Sequence, residues 1–297
     1  MRRCRRPGSR RASRVSAADA RSRRPVGGSV DVIHNHSLHY LPVAMAATVP
    51  APILCTLHTP PTLWLESAIA VSRGHGAEFA AVSAHTAAAW AHVVGDIEVI
   101  PNGVDLAAWP VGGGGRRLIW FGRLVPEKGA HLAIAAARRA GYPLVLAGPI
   151  SDTKYFECSI GPSLGRDVVY LGHLEQPVLV EAIGGSAAAL VTPVWDEPYG
   201  LVVAEALACG TPVVAFARGG IPEVLTPDCG RLVPPDDLDS LVRAIPETVR
   251  LSRPAARTRA TEHCSESVMV DAYVDTYRSL TQAQRRRKTF RPNKVTS

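Results

Sequence analysis

Cysteine is sparse in this chain: six residues in 297, at positions 4, 55, 158, 209, 229 and 264. They form no CxxC pair and have no zinc-ligand rhythm, which excludes a disulfide scaffold and a zinc-held domain. Thiols scattered in this way are expected to be reduced, as in a cytoplasmic protein. Membrane-spanning runs are also lacking. The uncharged stretch 37–65 carries Pro42, Pro50, Pro52, Pro60 and Pro61, which would break a spanning helix. No apolar segment follows Arg23-Arg24, so no secretory signal is read. Aromatics make up 6% of the chain and are not interleaved with a basic stripe, so no specific nucleic-acid partner is expected. With 46% hydrophobic and 20% charged residues, the composition excludes global disorder, collagen and coiled coil.

The net charge of +7 is unevenly distributed. Residues 1–24 hold ten Arg and one Asp, a local +9, and residues 284–297 hold six cations and no acid. Removing both from +7 leaves −8 for residues 25–283, so the globular body is mildly acidic. The basic ends, 1–28 and 284–297, read as solvated disordered tails able at most to touch an acidic membrane surface weakly.

Between the tails, short apolar runs alternate with helical stretches. Residues 30–34, 51–57, 78–82 and 98–100 read as strands, followed by the Pro101-Asn102-Gly103 turn. Val111 and the glycines 112–115 read as a flexible connector between a domain at 29–110 and a second at 111–264. The second holds six apolar runs, 118–121, 144–147, 168–171, 187–191, 213–216 and 231–233, with helical stretches between them. That pattern predicts a parallel sheet covered on both faces, an α/β doubly wound domain that binds ligands beyond the carboxyl ends of its strands. Residues 265–283 are expected to form a last helix, with Met269, Tyr273 and Tyr277 on one face, packing back toward the first domain.

Two constellations carry chemistry. Phe121-Gly122-Arg123-Leu124, with Glu127-Lys128-Gly129, follows a strand and opens a helix, where a helix N-terminus, a guanidinium fork and an ammonium suit a diphosphate. A solvated surface turn would read the same. Glu197-Pro198-Tyr199-Gly200 precedes a helix that carries Glu205 eight residues on. An acid in that apolar stretch is costly without partners. A carboxylate there can accept from both hydroxyls of a ribose, or be an ordinary buried, satisfied Glu. Two further patterns read as structural. Asp237-Leu238-Asp239 sits at a helix start and reads as a cap. His34-Asn35-His36 reads as loop hydrogen bonding. No metal site is expected.

Pro101-Asn102-Gly103-Val104-Asp105, Phe121-Gly122-Arg123-Leu124, Glu127-Lys128-Gly129, Glu197 with Glu205, Gly210-Thr211-Pro212 and Gly219-Gly220-Ile221-Pro222-Glu223 occur in this order. The set resembles the family 4 glycosyltransferases over residues 30–280. The resemblance implies two Rossmann-like domains (the GT-B fold) and metal-independent transfer from a nucleotide-diphospho-sugar with retention of configuration. It implies that Arg123 and Lys128 grip the diphosphate and that Glu205 holds the ribose. Glu197, with the backbone of Gly200, Leu201 and Val202, would hold the sugar. His58 would stand near the reacting carbon, and Gly148, Tyr170, Gly172 and His173 would flank the base. His58, Glu197, Arg123 and Lys128 are thus the expected catalytic group. Gly219 and Gly220 are expected to be structural.

In such proteins an opening strand and a Gly-rich loop precede the segment matching residues 30–36. Here the Arg-rich stretch stands in that place, so the N-terminal domain is expected to be incomplete, with one sheet edge and part of a face uncovered. A nucleotide-sugar-binding remnant without catalysis is the alternative to an active hexosyltransferase. An epimerase is disfavoured by the spacing of Glu197 and Glu205. The donor is read as UDP-glucose, a co-substrate with no cofactor, and the acceptor and oligomeric state are not specified.

Overall fold

The structure, a computed structural model, describes residues 30–289. The expected tail at 1–28, Cys4 and residues 290–297 lie outside the described residues. Among the described residues, those from Val32 onward form one unit containing two parallel sheets.

The first sheet has four strands in sequence order: β1 (Ile33–Asn35), β2 (Ile53–Leu57), β3 (Ala77–Ala81) and β4 (Ile97–Val99). The short helix α1 (Leu41–Ala44) and the helices α2 (Leu63–Ser72) and α3 (Ala84–Trp90) connect them. Alternation along each strand divides its side chains between two faces. Ile53, Cys55, Leu57, Phe79 and Ala81 pack with Leu65, Ile69 and Trp90 from the connecting helices. Leu54 and Ala80 point the other way, against Tyr273 of the last helix.

The second sheet has order β10-β9-β8-β5-β6-β7 and is parallel throughout. Its strands are β5 (Leu118–Phe121), β6 (Leu144–Ala147), β7 (Val168–Tyr170), β8 (Ala188–Val191), β9 (Val213–Phe216) and β10 (Gly230–Val233). Between them run α4 (Ala130–Ala140), the single turn α5 (Thr153–Tyr155), which continues into a wider π turn at Phe156–Ile160, α6 (Gln176–Gly184), α7 (Leu201–Ala208) and α8 (Ile221–Val224). After β10 come α9 (Leu238–Thr248), α10 (Arg253–His263) and α11 (Glu266–Thr289). Leu118, Trp120, Leu144 and Leu146 face α4 and α9, while Ile119, Phe121, Val145 and Ala147 face α7 and α10. Strand order reverses between β5 and β8, which makes the crevice beyond their carboxyl ends the switch point where such sheets take ligands.

Three expectations are corrected here. The glycine run at 112–115 is packed, not flexible. Gly112 N–H donates to Cys209 (3.1 Å) and Gly114 N–H to Gly184 (2.8 Å), and a Cβ on Gly112 would lie 2.4 Å from Gly184 backbone. Backbones this close tolerate only glycine at that point. Second, residues 253–263, to which the sequence pattern assigns no helix, form α10. It buries only two alanines, and its arginines dock it: Arg257 donates to the carbonyls of Trp109 (2.7 Å), Ala208 (2.5 Å) and Leu106 (3.0 Å). Third, α11 runs to Thr289, so 284–289 continue the helix where a tail was expected. Gln and Arg are good helix formers, and propagation from an established helix avoids the nucleation cost.

Beyond its Tyr273 contact, α11 lies along the second face of the first sheet. Tyr273 shares a hydrogen bond with Thr56 (3.1 Å), Tyr277 with His34 (2.6 Å), and Thr276 donates to Glu98 (2.9 Å). No helix among the described residues is long and apolar enough to cross a membrane.

Candidate active site

The switch point of the second sheet opens into a cleft of about 310 Å³. His58 from the end of β2 lines it on one side. Gly122, Lys128, Glu197, Gly200 and Val202 line the other, with Leu201 beside them.

Each of these side chains is placed by a local reason. After β5, Gly122 (φ 148°) turns the chain, a 3-10 turn at Pro126–Lys128 follows, and Gly129 (φ 68°) starts α4. A Cβ on Gly129 would fall 1.9 Å from Thr192 O, so the turn after β5 and the loop after β8 touch through backbone. Val194 N–H donates to Glu127 O (2.9 Å) and the Thr192 hydroxyl to Gly129 O (2.8 Å), fixing the two loops together. Glu197 is 8% exposed. Its carbonyl accepts from Gly220 N–H at 2.7 Å, and a Cβ on Gly219 would lie 1.9 Å from that same oxygen.

The Glu197 carboxylate is held by two donors. Lys128 forms an ion pair with it, and the Trp195 indole donates at 3.0 Å. The Lys128 ammonium also lies 5.0 Å from the centre of the Trp195 ring. Pro198, next in the chain, is held from the first sheet: Ser83 and Thr86, at the start of α3, donate to its carbonyl at 2.5 and 3.2 Å. Glu223 accepts from the Ala84 and His85 N–H groups at 2.8 and 2.9 Å.

Gly200 (φ 95°) begins α7 without a side-chain cap. The N–H groups of Leu201 and Val202 find no acceptor among the described residues and border the cleft. A helix start with free N–H groups and a positive dipole end is an anion site. Glu205 lies one turn further along α7, and burial pushes its carboxyl up to about 7. Arg123 is exposed on the turn beyond β5; its carbonyl accepts from Val125 N–H (3.0 Å), and its guanidinium has no hydrogen-bond partner among the described residues.

Of the expected site residues, His58, Lys128, Glu197, Gly200, Leu201 and Val202 share the cleft. Arg123, Gly148, Tyr170, Gly172 and His173 sit along the same carboxyl edge of the sheet, and Glu205 sits on α7, all outside the cleft lining. Gly148 follows β6 and Gly172 follows β7. Gly148 N–H donates to Gly172 O (2.9 Å), Gly148 O accepts from the Tyr170 hydroxyl (2.8 Å), and His173 is exposed just beyond. A Cβ on Gly148 would strike Gly122 O at 1.9 Å, so three neighbouring strands end in glycines at one level.

Two side chains were missed from sequence. Trp195 lies in a loop with no periodicity to mark it. His36 was read only as part of a loop motif, yet its Nδ1 is 2.9 Å from Nε2 of His58. The signal is the alternation: His36, two residues beyond His34 and one past the end of β1, continues the same face. Asp237 caps α9, accepting from Ser240 N–H at 2.9 Å. No group of three or more His, Cys, Asp or Glu able to hold a metal ion occurs among the described residues.

Comparison with known proteins gives this geometry a family. The family described as "Glycosyltransferase Family 4" matches residues 1–108. A glycogen synthase of Mycobacterium tuberculosis is 32% identical over 208 residues, 64% of this chain and 50% of that protein. A phosphatidyl-myo-inositol mannosyltransferase of Mycolicibacterium smegmatis is 30% identical over 241 residues, 73% of this chain and 62% of that one. The chain therefore spans half to three-fifths of the length of these relatives. Among solved structures, AviGT4, a glycosyltransferase involved in avilamycin A biosynthesis, superposes with a TM-score of 0.69 at 24% identity, covering 86% of this chain and 76% of that one. The Anabaena protein HepE, solved in complex with UDP-glucose, gives 0.69 at 21% identity over 84% of this chain and 79% of that one. These likenesses are of fold, and the fold is GT-B. With the family described as "Glycosyl transferases group 1" matching residues 107–263, more than half of its length, the chain belongs to the group 1 glycosyltransferases.

Proposed function

We propose that this chain transfers a sugar from a nucleoside-diphosphate sugar to an acceptor hydroxyl, with retention of configuration and without a metal ion. The observation that carries the reading is the convergence at one switch point of Lys128, the unsatisfied N–H groups of Leu201 and Val202, and the carboxylate of Glu197, with Glu205 one turn further along α7. As a glycosidic bond to a diphosphate breaks, negative charge gathers on the phosphate oxygens. A preorganised ammonium, Arg123 and a helix start stabilise that charge. Glu205, once ionised, accepts from ribose hydroxyls. Glu197, whose carboxylate is already oriented by Lys128 and Trp195, accepts from sugar hydroxyls; it is not assigned as a nucleophile. The leaving phosphate takes the acceptor's proton on the same face, so no carboxylate pair of the retaining-glycosidase kind is needed. UDP-glucose is the proposed donor, supported by its presence in the HepE structure.

The test is incubation of the full chain with radiolabelled UDP-, GDP- and ADP-sugars, with and without a cell extract as acceptor source, alongside calorimetric titration of each nucleotide. Label moving to a new product, or slow release of free sugar, supports transfer. Nucleotide binding with neither supports a binding remnant, and absence of binding overturns the donor site.

A further inference from the structure

The parallel register of β1 and β2 sets Ile33 level with Ile53 and Asn35 level with Cys55. His34 on β1 and Thr56 on β2, with His36 and His58 one residue past the ends of these strands, continue the alternation that turns toward α11. They form a connected chain. The Tyr273 hydroxyl meets Thr56 Oγ1 at 3.1 Å, Thr56 Oγ1 meets His34 Nε2 at 2.7 Å, and His34 Nδ1 meets the Tyr277 hydroxyl at 2.6 Å. The His36 ring lies against that of His34, with centroids 3.8 Å apart, and His36 Nδ1 stands 2.9 Å from His58 Nε2. His58 is the member of this chain that lines the cleft.

We propose that His36 is a positioning residue for His58, fixing which ring nitrogen His58 presents to a hydroxyl group in the cleft. A neutral imidazole carries one N–H, so two ring nitrogens at hydrogen-bond distance must share one proton between them. Burial lowers the proton affinity of both rings, which keeps both neutral near pH 7. With Nε2 of His58 committed to His36, Nδ1 is the nitrogen left for a ligand; no partner for it occurs among the described residues. His36 can impose this because it is itself held: its ring packs at a tilt of 41° against that of His34, whose two nitrogens are pinned by Thr56 and Tyr277. A partner of this kind commonly decides the tautomer and ring angle of a working histidine. That the hydroxyl belongs to a bound sugar rests on the glycosyl-transfer reading; the coupling of the two rings does not.

The experiment is two-bond nitrogen–proton correlation NMR on the full chain with 15N-labelled histidine, with His58 signals assigned by their loss in His58→Gln. In the wild type at pH 7.5, His58 is expected to be a single tautomer, with a scalar coupling across the hydrogen bond to His36 Nδ1. His36→Phe is expected to release His58 to a mixture of tautomers. His36→Asn, whose amide reaches the place of Nδ1, is expected to restore one form. Where donor turnover is measurable, His36→Phe is expected to lower kcat about tenfold, the scale of one hydrogen bond, with KM for donor nearly unchanged, and His36→Asn to recover it. A mixed His58 tautomer without cross-bond coupling in the wild type overturns the proposal even if His36→Phe fails to fold. An identical His58 tautomer in a folded His36→Phe protein does so as well. A locked His58 that His36→Phe frees, in a protein without transferase activity, upholds the positioning role and removes the glycosyl-transfer reading alone.

Discussion

The ammonium of Lys128 and the carboxylate of Glu197 form an ion pair across the switch point of the second sheet, one arriving from the turn after β5 and the other from the loop after β8. The pair brings together the cation proposed for the diphosphate and the acid proposed for the sugar. Lys128→Ala is expected to weaken nucleoside-diphosphate binding by about 1–3 kcal/mol, the scale of a charge-assisted hydrogen bond, and Arg123→Ala to do likewise. Isothermal titration with UDP checks this; wild-type affinity in both variants would remove them from the site.

Glu205 gives a pH dependence. Burial raises its carboxyl to about 7, so near pH 6 it is mostly protonated and cannot accept from two ribose hydroxyls. Nucleotide affinity is expected to rise as pH climbs through about 7, with a proton released on binding. For folding the sign is opposite. The folded state binds more protons than the unfolded chain between about pH 4.5 and 7, so this group's contribution to stability falls as pH rises through that window. Calorimetry of UDP binding in buffers of different ionisation enthalpy measures the proton directly. In Glu205→Gln, the expected result is loss of both proton release and pH dependence.

Gly219 is expected to tolerate no side chain. Its φ is 60°, and a Cβ would meet Glu197 O at 1.9 Å, backbone that cannot swing aside. Gly219→Ala should cost about 2–4 kcal/mol of stability and displace the Glu197 loop. Thermal unfolding and UDP titration together read both effects; an unchanged melting temperature with unchanged binding contradicts this account of the loop.

Arg257 stitches α10 to the rest of the molecule through three backbone carbonyls. Arg257→Ala leaves those acceptors without their charged donor and is expected to destabilise the chain by about 2–4 kcal/mol. Chemical unfolding of the purified variant checks it, and Arg257→Lys should recover only part of the loss, since an ammonium lacks the planar fork.

Metal removal is expected to leave nucleotide binding unchanged, because the proposed diphosphate contacts are Lys128, Arg123 and the start of α7. Titration with and without EDTA is the check, and a loss of binding that Mg²⁺ or Mn²⁺ restores contradicts it.

Much of the second sheet was legible from sequence because its strands are unbroken apolar runs such as Leu118-Ile119-Trp120-Phe121, buried on both faces. The motif residues His58, Lys128 and Glu197 could be singled out from sequence, and the fold brings them to one cleft. What escaped was held by polar contacts that leave no periodic trace. Helix α10 docks through arginines, Gly112 and Gly115 serve close backbone packing and not freedom, and Trp195 donates one indole N–H from a loop. The His36–His58 contact depends on strand register, which fixes neighbours 22 residues apart only once the sheet has formed.

The most direct test of retaining transfer at this cleft is proton NMR of the sugar released when the chain is incubated with UDP-glucose alone. The account predicts slow UDP release with α-glucose appearing first, ahead of mutarotation, and no release by Lys128→Ala. First-formed β-glucose, or release that survives Lys128→Ala undiminished, would contradict it.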